Sequence, residues 1–285
     1  MATYLVTGAS GQLGRLVIAQ LAELVPLDSI IALVRTEKAR AAYAAEGITA
    51  RLADYENPAN LRAALAGVDR MLLISSSEVG RRAPQHANVI AAAREAGVGF
   101  IAYTSILNAE TGGMALAEEH LATEDALRDS GLPFAILRNG WYSENITGTA
   151  AQALSIGQHF GAAGAGRFAT ASRADYAEAA ARVLAGKGHE GKTYELGGDE
   201  GFTLAEYASI LSELAGRRIA YVDMPEAAYR DALVGAGLPA AFAAVLADSD
   251  AKAAKGALAT NSHDLSRLIG HPTTPIRKTL QAVLG

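Results

Sequence analysis

The opening stretch constrains this chain more than any other. Ala2-Thr3-Tyr4-Leu5-Val6-Thr7 is a short β-forming run, glycines follow at 8, 11 and 14, and Leu13, Val17, Ile18 and Leu21 then recur at helical spacing. A strand, a glycine turn and a helix in that order present backbone N–H groups and the positive end of a helix dipole to an anion. The first glycine permits the tight turn, the second lets backbone approach a pyrophosphate, and the third lets the helix pack close to the strand. Gly8, Ala9, Ser10, Gly11, Gln12, Leu13 and Gly14 are therefore expected to line a dinucleotide's phosphates. The spacing is Gly-x-x-Gly-x-x-Gly, and in a chain with 29 glycines it is a weak signal until the rest of the sequence supports it.

That support comes from the order of the segments. Apolar, β-rich runs at 29–35, 47–55, 68–74, 99–105 and 132–138 alternate with helical patterns at 36–46, 58–66, 83–97 and 113–130. Six strands alternating with helices predict an α/β fold, a Rossmann-type doubly wound parallel sheet with right-handed crossovers. The nucleotide-binding domain is expected over 1–140, with later segments returning to it. Beyond it the pattern changes: short segments at 158–162, 167–170, 192–196 and 217–223 interleave with helices near 174–185, 203–215, 225–236, 239–250 and 275–284. This reads as a smaller C-terminal α/β substrate lobe over 141–285, with 162–166 (Ala-Ala-Gly-Ala-Gly) as a flexible link.

Ligands of an open parallel sheet bind at the carboxyl ends of its strands, so those ends name the candidate contacts. Arg35 closes the second strand 21 residues after Gly14, where an acid would accept from a ribose 2′-hydroxyl and an arginine accommodates a 2′-phosphate. No Asp or Glu stands there, so the cofactor reads as NADPH rather than NADH. Lys38 and Arg40 read as ordinary helix charges. Asp54, next to Tyr55, either accepts from an adenine amino group or caps the turn before the helix near Pro58. Ser75, Ser76 and Ser77 after the fourth strand, and Thr104 and Ser105 at the end of the fifth, leave room for ribose and can hydrogen-bond it. After the sixth come Asn139 and Gly140, then Trp141 (the only tryptophan), Tyr142 and Asn145, which with Arg173 are the candidate substrate contacts. His86 reads as a surface residue.

Composition removes other classes. Zero cysteines exclude disulfides, thiolate nucleophiles and cysteine-based metal sites, and the six histidines form no His-x-x-x-His pair. There is no Gly-x-Ser-x-Gly elbow, and a net charge of −5 offers no basic field for nucleic acid or anionic membrane. No apolar run approaches the ~18 residues that span a bilayer, and no basic leader precedes the first strand, so a cytoplasmic location is expected. The sequence leaves a homo-oligomer open.

Val6-Thr7-Gly8-Ala9-Ser10-Gly11-Gln12-Leu13-Gly14, Val34-Arg35, Ala53-Asp54-Tyr55, Leu72–Gly80, Phe100–Ser105 and Leu137–Asn145 together resemble the NmrA-like atypical short-chain dehydrogenases/reductases. The resemblance extends to Arg173-Ala174-Asp175-Tyr176 and to 268–274, and within the group it is nearest to bacterial NADPH-dependent quinone oxidoreductases, with triphenylmethane-dye reductases next. It implies hydride transfer from NADPH to a small-molecule quinone without bound flavin or metal. The alternatives it leaves are an NADP(H)-sensing regulator of the NmrA type, or a reductase of another flat acceptor such as a triarylmethane dye, an imine or an enone.

A typical short-chain dehydrogenase places Tyr and Lys four apart on the helix after the fifth strand, and helix 113–130 contains neither. Ser105 could fill the serine position, and His120 falls where related isoflavone-reductase-like enzymes carry a lysine. A quinone is a strong hydride acceptor whose reduced form is a stabilised phenolate, so orientation can supply most of the catalysis. Tyr103, Thr104, Ser105, Asn139, Trp141 and Tyr142 are expected to position the reactants, with His120 either a proton donor or a polar helix residue.

Overall fold

The structure is a computed structural model describing residues 2–285. Strand β1 (Tyr4–Val6) runs into helix α1 (Gln12–Ala22), followed by β2 (Ile30–Val34), α2 (Glu37–Ala45), β3 (Thr49–Leu52) and α3 (Pro58–Leu65). The second half of the sheet continues with β4 (Arg70–Leu73), α4 (Arg82–Ala96), β5 (Phe100–Ile106), α5 (Ala117–Asp129) and β6 (Phe134–Asn139). Helices α6 (Ser143–Thr147) and α7 (Ala150–Ile156) precede β7 (Gln158–Gly161), α8 (Arg173–Ala185) and β8 (Lys192–Leu196). The chain ends with α9 (Leu204–Ala215), β9 (Ala220–Asp223), α10 (Glu226–Gly235), α11 (Ala240–Ala253), α12 (Asp264–Ile269) and α13 (Ile276–Leu284).

Seven strands form one sheet in the order β3-β2-β1-β4-β5-β6-β8, and the pairs from β3 through β5 all run parallel. The order reverses between β1 and β4, which makes their carboxyl ends the switch point where this architecture binds ligands. Strands buried on both faces need apolar residues at successive positions, and β2, β4 and β5 supply them: Ile30–Val34, Met71–Leu73 and Phe100–Ile106 are all buried. One face of the sheet packs Leu5, Ile31, Met71 and Tyr103 against Leu61, Leu65, Val89 and Leu127 from the helices.

The chain forms two compact units. Unit 1 holds the chain through Ile106, Glu119–Arg138 and Arg173–Tyr194; unit 2 holds Leu107–Glu118, Asn139–Ser172 and Glu195–Gly285. Helix α8 belongs to unit 1 because its alanine-rich face (Ala177, Ala180, Ala181, Leu184) packs on α1, and Arg70 Nε donates to the Leu184 carbonyl at 2.6 Å. Within unit 2, β7 and β9 make a separate parallel pair.

Several sequence expectations are corrected here. Segment 167–170 contributes only an isolated bridge from Phe168 to Phe202, and the strand expected over 217–223 begins at Ala220. Helices α6, α7 and α12 run five to seven residues, too short for a period to show. The link at 162–166 is packed rather than loose. Ala162 and Ala163 are buried, and a Cβ on Gly166 would lie 2.4 Å from the Ala253 carbonyl oxygen. Among the described residues, no helix is long and apolar enough to cross a membrane.

An ion cluster inside unit 1 had no counterpart in the sequence reading. Glu124 on α5 is fully buried and accepts from Arg138 Nε at 2.9 Å and Nη2 at 2.6 Å, from Arg128 Nη2 at 2.9 Å, and from Ser105 Oγ at 2.6 Å. Removing one partner leaves a buried carboxylate undercompensated. Arg138→Met is expected to lower unfolding free energy by about 3–5 kcal/mol in urea titrations. Arg62→Met, which breaks an exposed pair with Glu95, should lower it by less than about 1 kcal/mol. Equal losses would contradict the assignment of Glu124 as the internal anchor.

Candidate active site

The glycine turn is built for close approach. Gly8 adopts φ +57°, and Gly11 N donates back to its carbonyl at 2.9 Å. A Cβ on Gly14 would stand 2.4 Å from the Gly8 carbonyl oxygen and 2.7 Å from Ala9 Cα, so the third glycine seats α1 against the turn itself. Buried Tyr43 donates its hydroxyl to the Ala9 carbonyl at 2.6 Å, fixing the turn from behind. Gly11 caps α1 with no side-chain bond, and no acid occupies the first turn. Gly8, Ser10, Gly11 and Gln12 are exposed while Ala9, Leu13 and Gly14 are buried. A helix start with no side-chain cap, behind a turn with glycines at 8, 11 and 14, fits a pyrophosphate.

Arg35 projects from the end of β2 into solvent, where its Nη1 donates to Glu78 Oε1 at 2.6 Å. Gln85 and Arg35 together hold the Glu78 carboxyl below the usual carboxylate range. Arg40 pairs with Glu37 on its own helix, as an ordinary surface charge would. Asp54 Oδ1 accepts from Glu56 N at 3.0 Å and so caps a turn, but α3 takes its own cap from Asn57. Burial pushes the neighbouring Tyr55 hydroxyl up to about 12.

The loop after β4 is held by its neighbours. Ile74 N donates to Thr7 Oγ1 at 2.9 Å, Ser75 N to Thr104 Oγ1 at 2.9 Å, and Ser76 N to His86 Nε2 at 3.0 Å. His86 is fully buried, which corrects the surface reading. Because its Nε2 accepts from a backbone N–H, its proton sits on Nδ1 and is donated to Thr123 Oγ1 at 2.9 Å; Thr123 passes its own on to the Glu119 carbonyl. Ser77 is exposed.

Tyr103 and His120 come together beneath this loop, with Tyr103 Oη 2.8 Å from His120 Nδ1. His120 Nε2 lies 3.4 Å from Arg82 Nη1, and a guanidinium only donates, so Nδ1 carries the proton and gives it to Tyr103. Burial first, then the adjacent Arg82, hold His120 down at about 3 and His86 at about 4, so both rings are neutral near pH 7. Burial also raises the Tyr103 phenol. Tyr103 is 0% and Ser105 5% exposed, and the Ser105 hydroxyl is engaged by Glu124. The Ser105 proton is thus committed to Glu124, while Tyr103, accepting from His120, keeps its own hydroxyl proton.

In unit 2, Gly140 N donates to the Leu196 carbonyl at 2.7 Å, and Asn139 Nδ2 reaches the Tyr142 hydroxyl at 3.4 Å. Asn139 Oδ1 is buried with no hydrogen-bond partner among the described residues. Trp141 and Asn145 line a cavity of about 190 Å³ with Phe160, Phe168, Tyr229 and Leu233. Asp250 and His159 are the wall's charged-capable groups; burial pushes Asp250 up to about 6 and His159 down to about 4. Neither was singled out from sequence, since both lie inside patterns that read as plain helix and strand. Tyr142 and Arg173 are not among the lining residues, and Arg173 opens α8 in unit 1. Among the described residues no group of His, Asp and Glu is arranged to hold a metal.

The turn, the switch point and the cationic strand end define a nicotinamide-dinucleotide-binding protein, and the chain belongs to the NAD(P)H-binding family, whose model matches residues 8–187. It is 53% identical to quinone oxidoreductase 2 of Escherichia coli (strain K12) over 275 residues, 96% of each chain. The crystal structure of the Escherichia coli NADPH-dependent quinone oxidoreductase complexed with NADPH superposes with a TM-score of 0.98 at 52% identity, covering 99% of this chain and 100% of that one. The Citrobacter sp. triphenylmethane reductase complexed with NADP(H) gives 0.94 at 38% identity, covering 98% and 99%.

The buried histidines set an acid limit on stability. Each takes a proton near 6.5 when unfolded but resists it until about 3 or 4 when folded, so the unfolded state binds more protons in between. Stability therefore falls as pH drops below 6.5. Asp250 opposes this between 3.8 and about 6, as one group against three. The melting temperature should fall from about pH 7 to about pH 5, and His159→Phe should soften the fall. A flat profile would contradict the neutral, buried assignment.

Proposed function

We propose that this chain is an NADPH-dependent quinone reductase, with a small-molecule quinone as acceptor and a cytoplasmic location. The observation that carries the reading is the combination of a glycine-lined phosphate cradle at Gly8–Gly14 with Arg35 at the end of β2. NADPH supplies a hydride that reduces the quinone by two electrons, and proton uptake completes the quinol.

The chain's own task is to bind and orient. The first turn of α1 and residues 8–11 hold the pyrophosphate, Arg35 takes the 2′-phosphate, and the Ser75–Ser77 loop with Thr104 borders the ribose. The apolar cavity of unit 2, with Trp141 and Asn145 in its wall, is suited to a planar acceptor. A quinone needs no strong acid, which agrees with an interior where His120 stays neutral and Tyr103 is already bonded to it.

Purified protein given NADPH and a simple benzoquinone should consume reduced nicotinamide faster than the uncatalysed mixture, and no excess rate rejects the reading. Arg35→Ala should weaken NADPH roughly tenfold or more, since a charge-assisted contact is worth about 1.5–3 kcal/mol, and leave NADH nearly unchanged. Trp141 is the only tryptophan, so quinone binding should quench the protein's indole fluorescence. Unaltered emission at saturating quinone would remove the acceptor from this cavity.

A further inference from the structure

We propose that Glu78 sets how strongly this protein prefers the phosphorylated nucleotide, by competing with the 2′-phosphate for Arg35. The inference rests on Arg35 as the phosphate clamp. Glu78 stands on the loop after β4, 43 residues along the chain, yet its Oε1 accepts from Arg35 Nη1 at 2.6 Å. The guanidinium is thus already engaged by an anion of the same sign as the phosphate it is meant to receive.

The surroundings of Glu78 make this a held competitor rather than a passing surface contact. Its Oε2 accepts from Nε2 of buried Gln85 at 2.9 Å, and its backbone N donates to Ser76 Oγ at 3.1 Å. Arg81 Nη1 lies 3.9 Å from Oε2, while Arg81 Nη2 pairs with Glu56 at 2.5 Å. When a phosphate takes Arg35, Glu78 keeps Gln85 and has Arg81 as its alternative cation. The carboxylate is not expelled, and the cost of parting it from Arg35 is subtracted from what the phosphate gains there. With an unphosphorylated ribose there is no phosphate to compete, and the Arg35–Glu78 pair stays as it is. Arg35 favours NADPH, Glu78 restrains that preference, and the two together fix the ratio.

The test is calorimetric titration of NADPH and NADH into the full chain and its Glu78→Gln, Arg35→Ala and doubly substituted variants. Glutamine preserves size and removes the charge. Glu78→Gln should tighten NADPH roughly two- to fivefold without tightening NADH, a gain that general loosening of the loop does not produce. In the Arg35→Ala background the same substitution should have no such effect. If Arg35→Ala weakens NADPH selectively but Glu78→Gln leaves it unchanged or weaker, the clamp stands and the competition is overturned. An equal gain in both backgrounds also overturns it. Equal losses of NADPH and NADH in Arg35→Ala would remove the clamp and this inference together.

Discussion

The structure depends on backbone approaching backbone at one turn. Gly14 lets α1 begin so near Gly8 and Ala9 that a methyl group would overlap the Gly8 carbonyl, and Tyr43 ties the Ala9 carbonyl from the other side. That contact aims the free N–H groups of the first turn past the end of β1, at the point where the strand order reverses. The remaining elements of unit 1 serve to hold this arrangement, and the buried strands β2, β4 and β5 make it rigid.

A second layer of order lies below the loop after β4. Ser76 N, His86, Thr123 and the Glu119 carbonyl form one chain of hydrogen bonds whose proton positions follow from the donors at either end. Tyr103, His120 and Arg82 form another. Both histidines are neutral near pH 7, and with Arg82, whose Nε donates to the Ser76 carbonyl, these groups hold the loop in place. A reaction whose acceptor readily takes a hydride asks mainly for position, and a stiff floor beneath the strand ends supplies it.

What the sequence disclosed and what it hid follow from distance along the chain. The strands, the glycine turn and Arg35 were legible because each is written in adjacent residues or at a fixed offset. The Glu124–Arg138 cluster was not, because its charges are 14 residues apart and only the packing of α5 against the strands buries them. Likewise the contact from Arg35 to Glu78 spans 43 residues and joins two loops. His86 misled for a different reason: the start of α4 carries Gln85, His86 and Asn88, a polar run that looks solvated, yet Gln85 and His86 turn inward to hold Glu78 and Ser76. The cavity of unit 2 is assembled from segments between Trp141 and Asp250 that are far apart in the chain, and Asp250 sits inside a helix whose pattern gives no sign of it.

Hydrogen–deuterium exchange of the backbone amides, with and without saturating NADPH, tests the central claim most directly. The expected result is slowed exchange at Gln12–Gly14, in the first turn of α1 proposed to receive the pyrophosphate. Exchange at these amides that is unchanged by saturating NADPH would contradict it.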